Sequence, residues 1–199
     1  MKIVIIKYNA GNIQSVLFAL ERIGIEAEVT DDTAKIQQAD KVIFPGVGEA
    51  SSAMQYLKER KLDVVIKGLK QPVFGICLGM QLLCNYSEEN DTDCLGIIPV
   101  NVKKFQPGLN QTEVFKVPQI GWNNIYDLRS PLFEGVERNS YIYNVHSYYA
   151  EDSEYTIAKC NYATEYAAAI KKDNFYGVQF HTEKSAAVGE RILKNFIGL

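Results

Sequence analysis

Cysteine, histidine and a carboxylate together can run covalent acyl transfer, and this chain offers only a few places where they could meet. Cys77 sits in "VFGICLGMQLL" (residues 73–83), where a short apolar run hands over to a helical pattern. Gly75-Ile76-Cys77-Leu78-Gly79 fits a nucleophile elbow with cysteine in place of serine: a tight strand-to-helix turn that lifts one side chain above a sheet. An exposed thiol is expected there. The start of the following helix favours thiolate over thiol, and the free Leu78 N–H faces the space where an oxyanion would form. A small residue at such a junction can equally be a buried thiol, so the base decides. Only two histidines exist, His146 and His181. His181 ends the apolar run "YGVQF", and Glu183 follows two residues later. If the chain stays extended, both side chains point to one side, and Glu183 can orient the imidazole as the third member of a triad.

The other reactive residue types read more plainly. His146, in "YNVHSYY", has no acidic neighbour in sequence and is expected to be a hydrogen-bonded core or lip residue. Cys84, Cys94 and Cys160 read as packed thiols. No Cys-x-x-Cys pair exists and only His146 and His181 could complete a metal site, so structural zinc is not expected; no cofactor is expected either. "FPGVGEAS" carries Gly46 and Gly48 after a strand, but Ser51 stands at the third glycine position of a dinucleotide fingerprint. Its glycines suit a backbone segment that turns an N–H toward Cys77. The chain has no phosphate-binding Gly-x-x-x-x-Gly-Lys-Ser/Thr loop.

These residues need elements to hold them. "KIVII", "IEAEVT", "DKVIFPG" and "PVFGI" read as strands. They are separated by the helical patterns "NIQSVLFALERIG" and "EASSAMQYLKERKLDVVIKGLK". That alternation predicts an α/β fold: a doubly wound, mostly parallel sheet with helices on both faces, its sites at the strand-to-helix ends. From about Val100 to Phe180 the pattern changes to "VNVKKF", "TEVFKV", "SYIYNVHSYYA", "YTIAKCNY", "EYAAAIKK" and "FYGVQF". This predicts an antiparallel, strand-rich second half with a hairpin turn at Asp173–Asn174. "KSAAVGERILKNFIG" reads as a closing amphipathic helix. No linker divides the chain, so residues 1–199 are expected to form a single domain.

The 199 residues are 47% apolar and 23% charged, with a net charge of −3. No basic cluster marks a nucleic-acid partner, and no apolar run is long enough to span a membrane. A cytoplasmic protein is expected.

"FPGVG", "GICLGMQLL", "YNVHSY" and "GVQFHTEKS", in this order, resemble the class I (triad) glutamine amidotransferases. "AGNIQSV", "PQIGWN" and "GVQFHTEKS" narrow the resemblance to the glutaminase subunit of imidazole glycerol phosphate synthase, and it covers nearly the whole chain. It implies Cys77, His181 and Glu183 as a triad that hydrolyses glutamine through a γ-glutamyl thioester. It places the second oxyanion donor at Val47, beside Leu78. It also implies that Gly46, Gly48, Gln81, Glu89, Ser147 and Tyr148 hold glutamine. The implied partner is a (β/α)8-barrel imidazole glycerol phosphate cyclase subunit in a heterodimer, faced by Asn12, Trp122, Tyr143 and Lys184. A donor peptide that turned inward only with the partner engaged would give low resting activity.

Two departures stand out. Thr182 replaces the family's usual proline between His181 and Glu183, and "KYNAGN" begins unlike the family's Asp-Tyr-Gly opening. Competing readings are a paralogous glutaminase that supplies ammonia for a surface-polysaccharide sugar, a peptidase or γ-glutamyl hydrolase of similar fold, and a non-catalytic α/β binding module. The intact Cys77, His181 and Glu183 set argues against the last.

Overall fold

The computed structural model describes residues 1–9, 11–106 and 115–199. In chain order the elements are β1 (Ile3–Ile6), α1 (Ile13–Arg22), β2 (Glu28–Thr30), α2 (Thr33–Gln37), β3 (Lys41–Phe44), α3 (Ala50–Glu59), α4 (Leu62–Gly68), β4 (Val73–Ile76) and α5 (Leu78–Leu83). The second half carries β5 (Tyr86–Ser87), β6 (Thr92–Asp93), β7 (Asn101–Lys104), β8 (Gln119–Asn124), β9 (Tyr141–His146), β10 (Tyr148–Ala150), β11 (Thr156–Tyr162), β12 (Thr164–Lys172), β13 (Phe175–Val178) and α6 (Ala186–Gly198).

An eleven-stranded sheet runs β2-β1-β3-β4-β13-β12-β10-β7-β5-β6, with β11 added to β12. Its first five strands are parallel. From β13 onward the pairing is mostly antiparallel. This is the expected α/β architecture. The central parallel strands β1, β3 and β4 are buried at every position because helices cover both faces, whereas edge strand β2 carries Glu28 and Thr30 and is only part-buried. In β1, Val4 and Ile6 pack with α3 and α4, while Ile3 and Ile5 pack on the opposite face with α1 and α6.

Several local expectations are met in detail. Val16 and Leu20 of α1 are buried, and Gly24, at φ 76°, ends the helix in the left-handed region. Asp173, at φ 51°, turns the β12–β13 hairpin. The helical stretch after Glu49 breaks into α3 and α4 at Lys61, also at positive φ.

The second half differs from its sequence pattern: β8 has no counterpart among the expected strands, and β13, expected in the antiparallel set, pairs in parallel with β4 on one side. "SYIYNVHSYYA" is not one strand. β9 pairs with β8 in a separate two-stranded sheet, and β10 joins β7 in the main sheet, with Ser147 between them. Of the expected strand "TEVFKV", residues 112–114 lie outside the described residues, and Phe115–Val117 are not in a strand. Among the described residues no helix is long and apolar enough to cross a membrane.

Candidate active site

Cys77 stands between β4 and α5 with φ 52° and ψ −110°, a conformation that L-residues rarely adopt. Holding it costs roughly 1–3 kcal/mol, which the surrounding packing must supply. Gly79 makes that packing possible. A Cβ there would come within 1.8 Å of the Phe44 carbonyl oxygen of β3, and one on Gly75 within 2.8–2.9 Å of the α5 backbone. The glycines therefore let the helix settle against the strands rather than merely clear space around the thiol.

The structure corrects the expected exposure of Cys77: it is 6% exposed and is reached through a cavity of about 310 Å³. With six residues, α5 is also a short source of helix dipole, so the thiolate depends more on its neighbours.

His181 follows β13, the strand that pairs in parallel with β4, and this places it over the same sheet edge as Cys77. The segment after it is not extended as expected. Residues Thr182–Lys184 form a 3-10 turn, yet Glu183 curls back so that its Oε1 lies 2.7 Å from His181 Nδ1. The turn holds without proline. Ser185 Oγ donates to the His181 carbonyl at 2.6 Å and accepts the Tyr143 N–H at 2.9 Å, while the His181 N–H donates to the Tyr143 carbonyl at 2.9 Å. Asn12 Nδ2 also donates to Glu183 Oε1.

His181 and Glu183 are both buried. Burial works against a charged imidazole, but the Cys77 sulfur and the Glu183 carboxylate outweigh it and raise His181 well above its ordinary range. His181 is thereby suited to hold the thiol proton. His146 goes the other way. Burial lowers it to about 4, and as a neutral ring it donates Nδ1–H to the Tyr148 carbonyl at 2.8 Å. Its Nε2 lies 3.3 Å from the Tyr166 hydroxyl.

The cavity is lined by Val47, Gly48, Cys77, Leu78, Gln81, Glu89, Pro118, Val145, His146, Ser147, Tyr148, His181 and Lys184. Most of the residues expected around a substrate thus converge, while Gly46 sits behind this wall. Glu89 accepts the Ala50 N–H at 2.7 Å. Burial raises its carboxyl above the ordinary range, the Ala50 bond opposes this, and Glu49 adds to it, so an incoming ammonium would find an uncompensated carboxylate. Both N–H groups of Gln81 are engaged, by the Tyr148 carbonyl and by Gln179 Oε1. Gln81 can offer a ligand only its amide oxygen.

The expected oxyanion donors are turned away from that task. The Leu78 N–H donates to the Gly46 carbonyl at 3.2 Å. The Gly46–Val47 peptide is trans, so with its carbonyl toward Leu78 its N–H points the opposite way. The β1–α1 loop braces both neighbours of that peptide. The Tyr8 hydroxyl donates to the Pro45 carbonyl at 2.6 Å, and the Gly11 N–H to the Val47 carbonyl at 3.4 Å.

Trp122 and Tyr143 lie outside the cavity on the β8–β9 pair, 5.7 Å apart edge to face. Trp122 is 53% exposed and is no core residue. Lys184 Nζ lies 6.0 Å from the Tyr143 ring centre. Pro118, Val145 and Gln179 were not singled out in the sequence. For Gln179 a signal existed: an amide inside the apolar run "YGVQF".

Comparison with known proteins follows the same lines. The family described as "Glutamine amidotransferase class-I" matches residues 4–198. The imidazole glycerol phosphate synthase subunit HisH of Bacteroides fragilis is 55% identical over 199 residues, covering all of both chains. That of Shewanella oneidensis is 47% identical over 209 residues, covering 98% of this chain and 95% of its own. A solved glutamine amidotransferase shares the fold with a TM-score of 0.73 at 15% identity, covering 100% of this chain and 98% of that one. PurLQS from Thermotoga maritima does so with 0.68 at 15%, covering 99% and 97%. The chain belongs to the class I glutamine amidotransferases and, within them, to the HisH subunits of imidazole glycerol phosphate synthase.

Proposed function

We propose that this chain hydrolyses glutamine to glutamate and ammonia through a thioester on Cys77. The ammonia passes to a cyclase subunit that makes imidazole glycerol phosphate and aminoimidazole carboxamide ribotide in histidine biosynthesis. The observation that carries this reading is the buried His181 ring, joined to Glu183 at 2.7 Å and lining the same cavity as Cys77. His181 takes the thiol proton, and the thiolate attacks the side-chain amide carbon of glutamine. The tetrahedral adduct expels ammonia with a proton from His181, and water attacking the thioester then releases glutamate and restores the thiol. Glu183 keeps His181 oriented and offsets its charge.

Glu89 receives the glutamine ammonium, the Gln81 oxygen adds an acceptor, and Gly46, Gly48, Ser147 and Tyr148 shape the rest of the subsite. Leu78 and Val47 supply the oxyanion donors once the Gly46–Val47 peptide rotates. Its present orientation, with the carbonyl on the Leu78 N–H, supports a resting state of low activity. The turn changes ψ of Gly46, where a glycine adds little cost, and φ of Val47, where the branched side chain adds some.

The eleven-stranded sheet draws strands from both halves, which supports reading 1–199 as one domain. Ammonia is mostly protonated in neutral water, so its use calls for a sheltered route into a partner. The (β/α)8-barrel cyclase subunit docks on the face of Asn12, Trp122, Tyr143 and Lys184. Exposed Ile120, Trp122 and Tyr141 on β8–β9 supply apolar contact there. The heterodimer works in the cytoplasm. The full-length HisH relatives favour this partner over one that aminates a polysaccharide sugar.

The test is glutamate release by the chain alone and with the cyclase subunit and its nucleotide substrate. Stimulation of about 10²-fold or more, the worth of one oxyanion donor, is expected. No stimulation with an active cyclase would overturn the assignment.

A further inference from the structure

One wholly buried polar side chain beside the sulfur has no part in the chemistry above. Gln179 follows β13, flanked by Val178 and Phe180, both fully buried, and has no exposure itself. Its Nε2 lies 3.7 Å from Cys77 Sγ, and its Oε1 lies 3.0 Å from Gln81 Nε2.

The direction of this amide is dictated by the residues around it. The Tyr148 carbonyl can only accept, and Gln81 Nε2 donates to it at 2.9 Å. Gln81 therefore turns its nitrogen toward Tyr148 and Gln179, and Gln179 must answer with its oxygen. That leaves the Gln179 nitrogen facing the sulfur. Reversing it would set nitrogen against nitrogen and an oxygen against a sulfur that is negative when reactive. A leucine or methionine would fill such a site without the desolvation cost of an amide, so a buried, doubly engaged glutamine calls for a role beyond volume.

We infer that Gln179 is a second hydrogen-bond donor to the Cys77 sulfur, holding the thiolate in place and stabilising its charge independently of His181. The inference rests on Cys77 being the nucleophile. It matters most where His181 cannot serve. When the thioester's tetrahedral adduct collapses, the C–S bond breaks and the sulfur keeps the electron pair, while His181 has been occupied with the attacking water. A neutral amide donor stabilises the leaving sulfur without competing for that proton.

The test uses the full chain with iodoacetamide as the probe, the alkylation rate at Cys77 followed by mass spectrometry as pH is varied. Gln179→Met keeps length and removes the donor; Gln179→Glu keeps shape and replaces the donor by an acceptor. The reactivity midpoint is expected to move to higher pH in Gln179→Met and further in Gln179→Glu. Glutaminase kcat should fall about tenfold in Gln179→Met, with KM changing less. A packing role would lower the melting temperature and leave the midpoint unmoved, and that result in folded variants overturns the inference.

If neither variant folds, the wild-type chain decides. The Gln179 side-chain N–H resonances should follow Cys77 ionisation with pH and lose that dependence in Cys77→Ala; a pH-independent signal in the wild type overturns the inference. Wild-type alkylation at Cys77 that spares glutamine hydrolysis would instead remove the nucleophile reading itself.

Discussion

On the His181 side of Cys77 the imidazole and the carboxylate are already joined, at 2.7 Å, with the turn beneath them tied down by Ser185 and Tyr143. On the Gly46 side the opposite holds. The Gly46 carbonyl occupies the Leu78 N–H, and the neighbouring donor faces away. The contrast follows from what each side is made of. Side chains buried among packed strands have one arrangement open to them. The Gly46–Val47 peptide has a glycine on one side, which leaves it freer to turn, and the Leu78, Tyr8 and Gly11 contacts hold it and its neighbours in one orientation. In the mechanism proposed above, nucleophile formation and transition-state stabilisation are therefore separable, and a partner acting on the second would control the rate without touching the first.

The largest expected effect breaks the assembled side. Cys77→Ala should lower glutamate release by at least about 10⁴-fold, as loss of a nucleophile does. It should also leave the melting temperature nearly unchanged, because the backbone strain is the same for alanine and only one sulfur atom is lost from packing. Substantial hydrolysis in this variant would remove the thioester and with it the meaning of the comparison.

A smaller effect sharpens the contrast by leaving both sides of the sulfur intact. Glu89→Gln removes the carboxylate that faces the cavity and should raise KM for glutamine about 10- to 100-fold, the worth of a charged hydrogen bond, with kcat changed little. A fall in kcat at constant KM would place Glu89 in the chemistry rather than in binding.

The smallest concerns stability. Folded His146 binds its proton less tightly than an unfolded imidazole, with about 4 against 6.5. Between these values the unfolded chain holds more protons, so stability must fall as pH falls through that window. His146→Gln should flatten this part of the curve in a denaturant titration. An unchanged slope would show that the neutral ring is not what acid disrupts.

How much of this was readable beforehand follows the same division. β1, β3 and β4 declared themselves because strands covered on both faces are almost wholly apolar, Lys41 at the start of β3 being the one charge. The meeting of Cys77 with His181 was legible because both close apolar strands at one sheet edge. The pairing of His181 with Glu183 was right in outcome and wrong in route, since a 3-10 turn, not extended chain, brings the carboxylate round. The split of "SYIYNVHSYYA" at Ser147 was hidden because it depends on which strands lie alongside: β8 takes one half and β7 the other, and alternation looks the same in both. The direction of the Gly46–Val47 peptide was not in the residue types at all. Glycine permits both orientations, and the contacts that choose between them come from residues far away in sequence.

The central claim is that the assembled side waits for the peptide side. Its most direct test is a crystal structure of Cys77→Ala bound to the cyclase subunit, its nucleotide substrate and glutamine. A rotated Gly46–Val47 peptide is expected, with the Leu78 and Val47 N–H groups both on the glutamine amide oxygen. A Gly46 carbonyl still bonded to the Leu78 N–H, in a complex whose wild-type counterpart turns over glutamine rapidly, would contradict it.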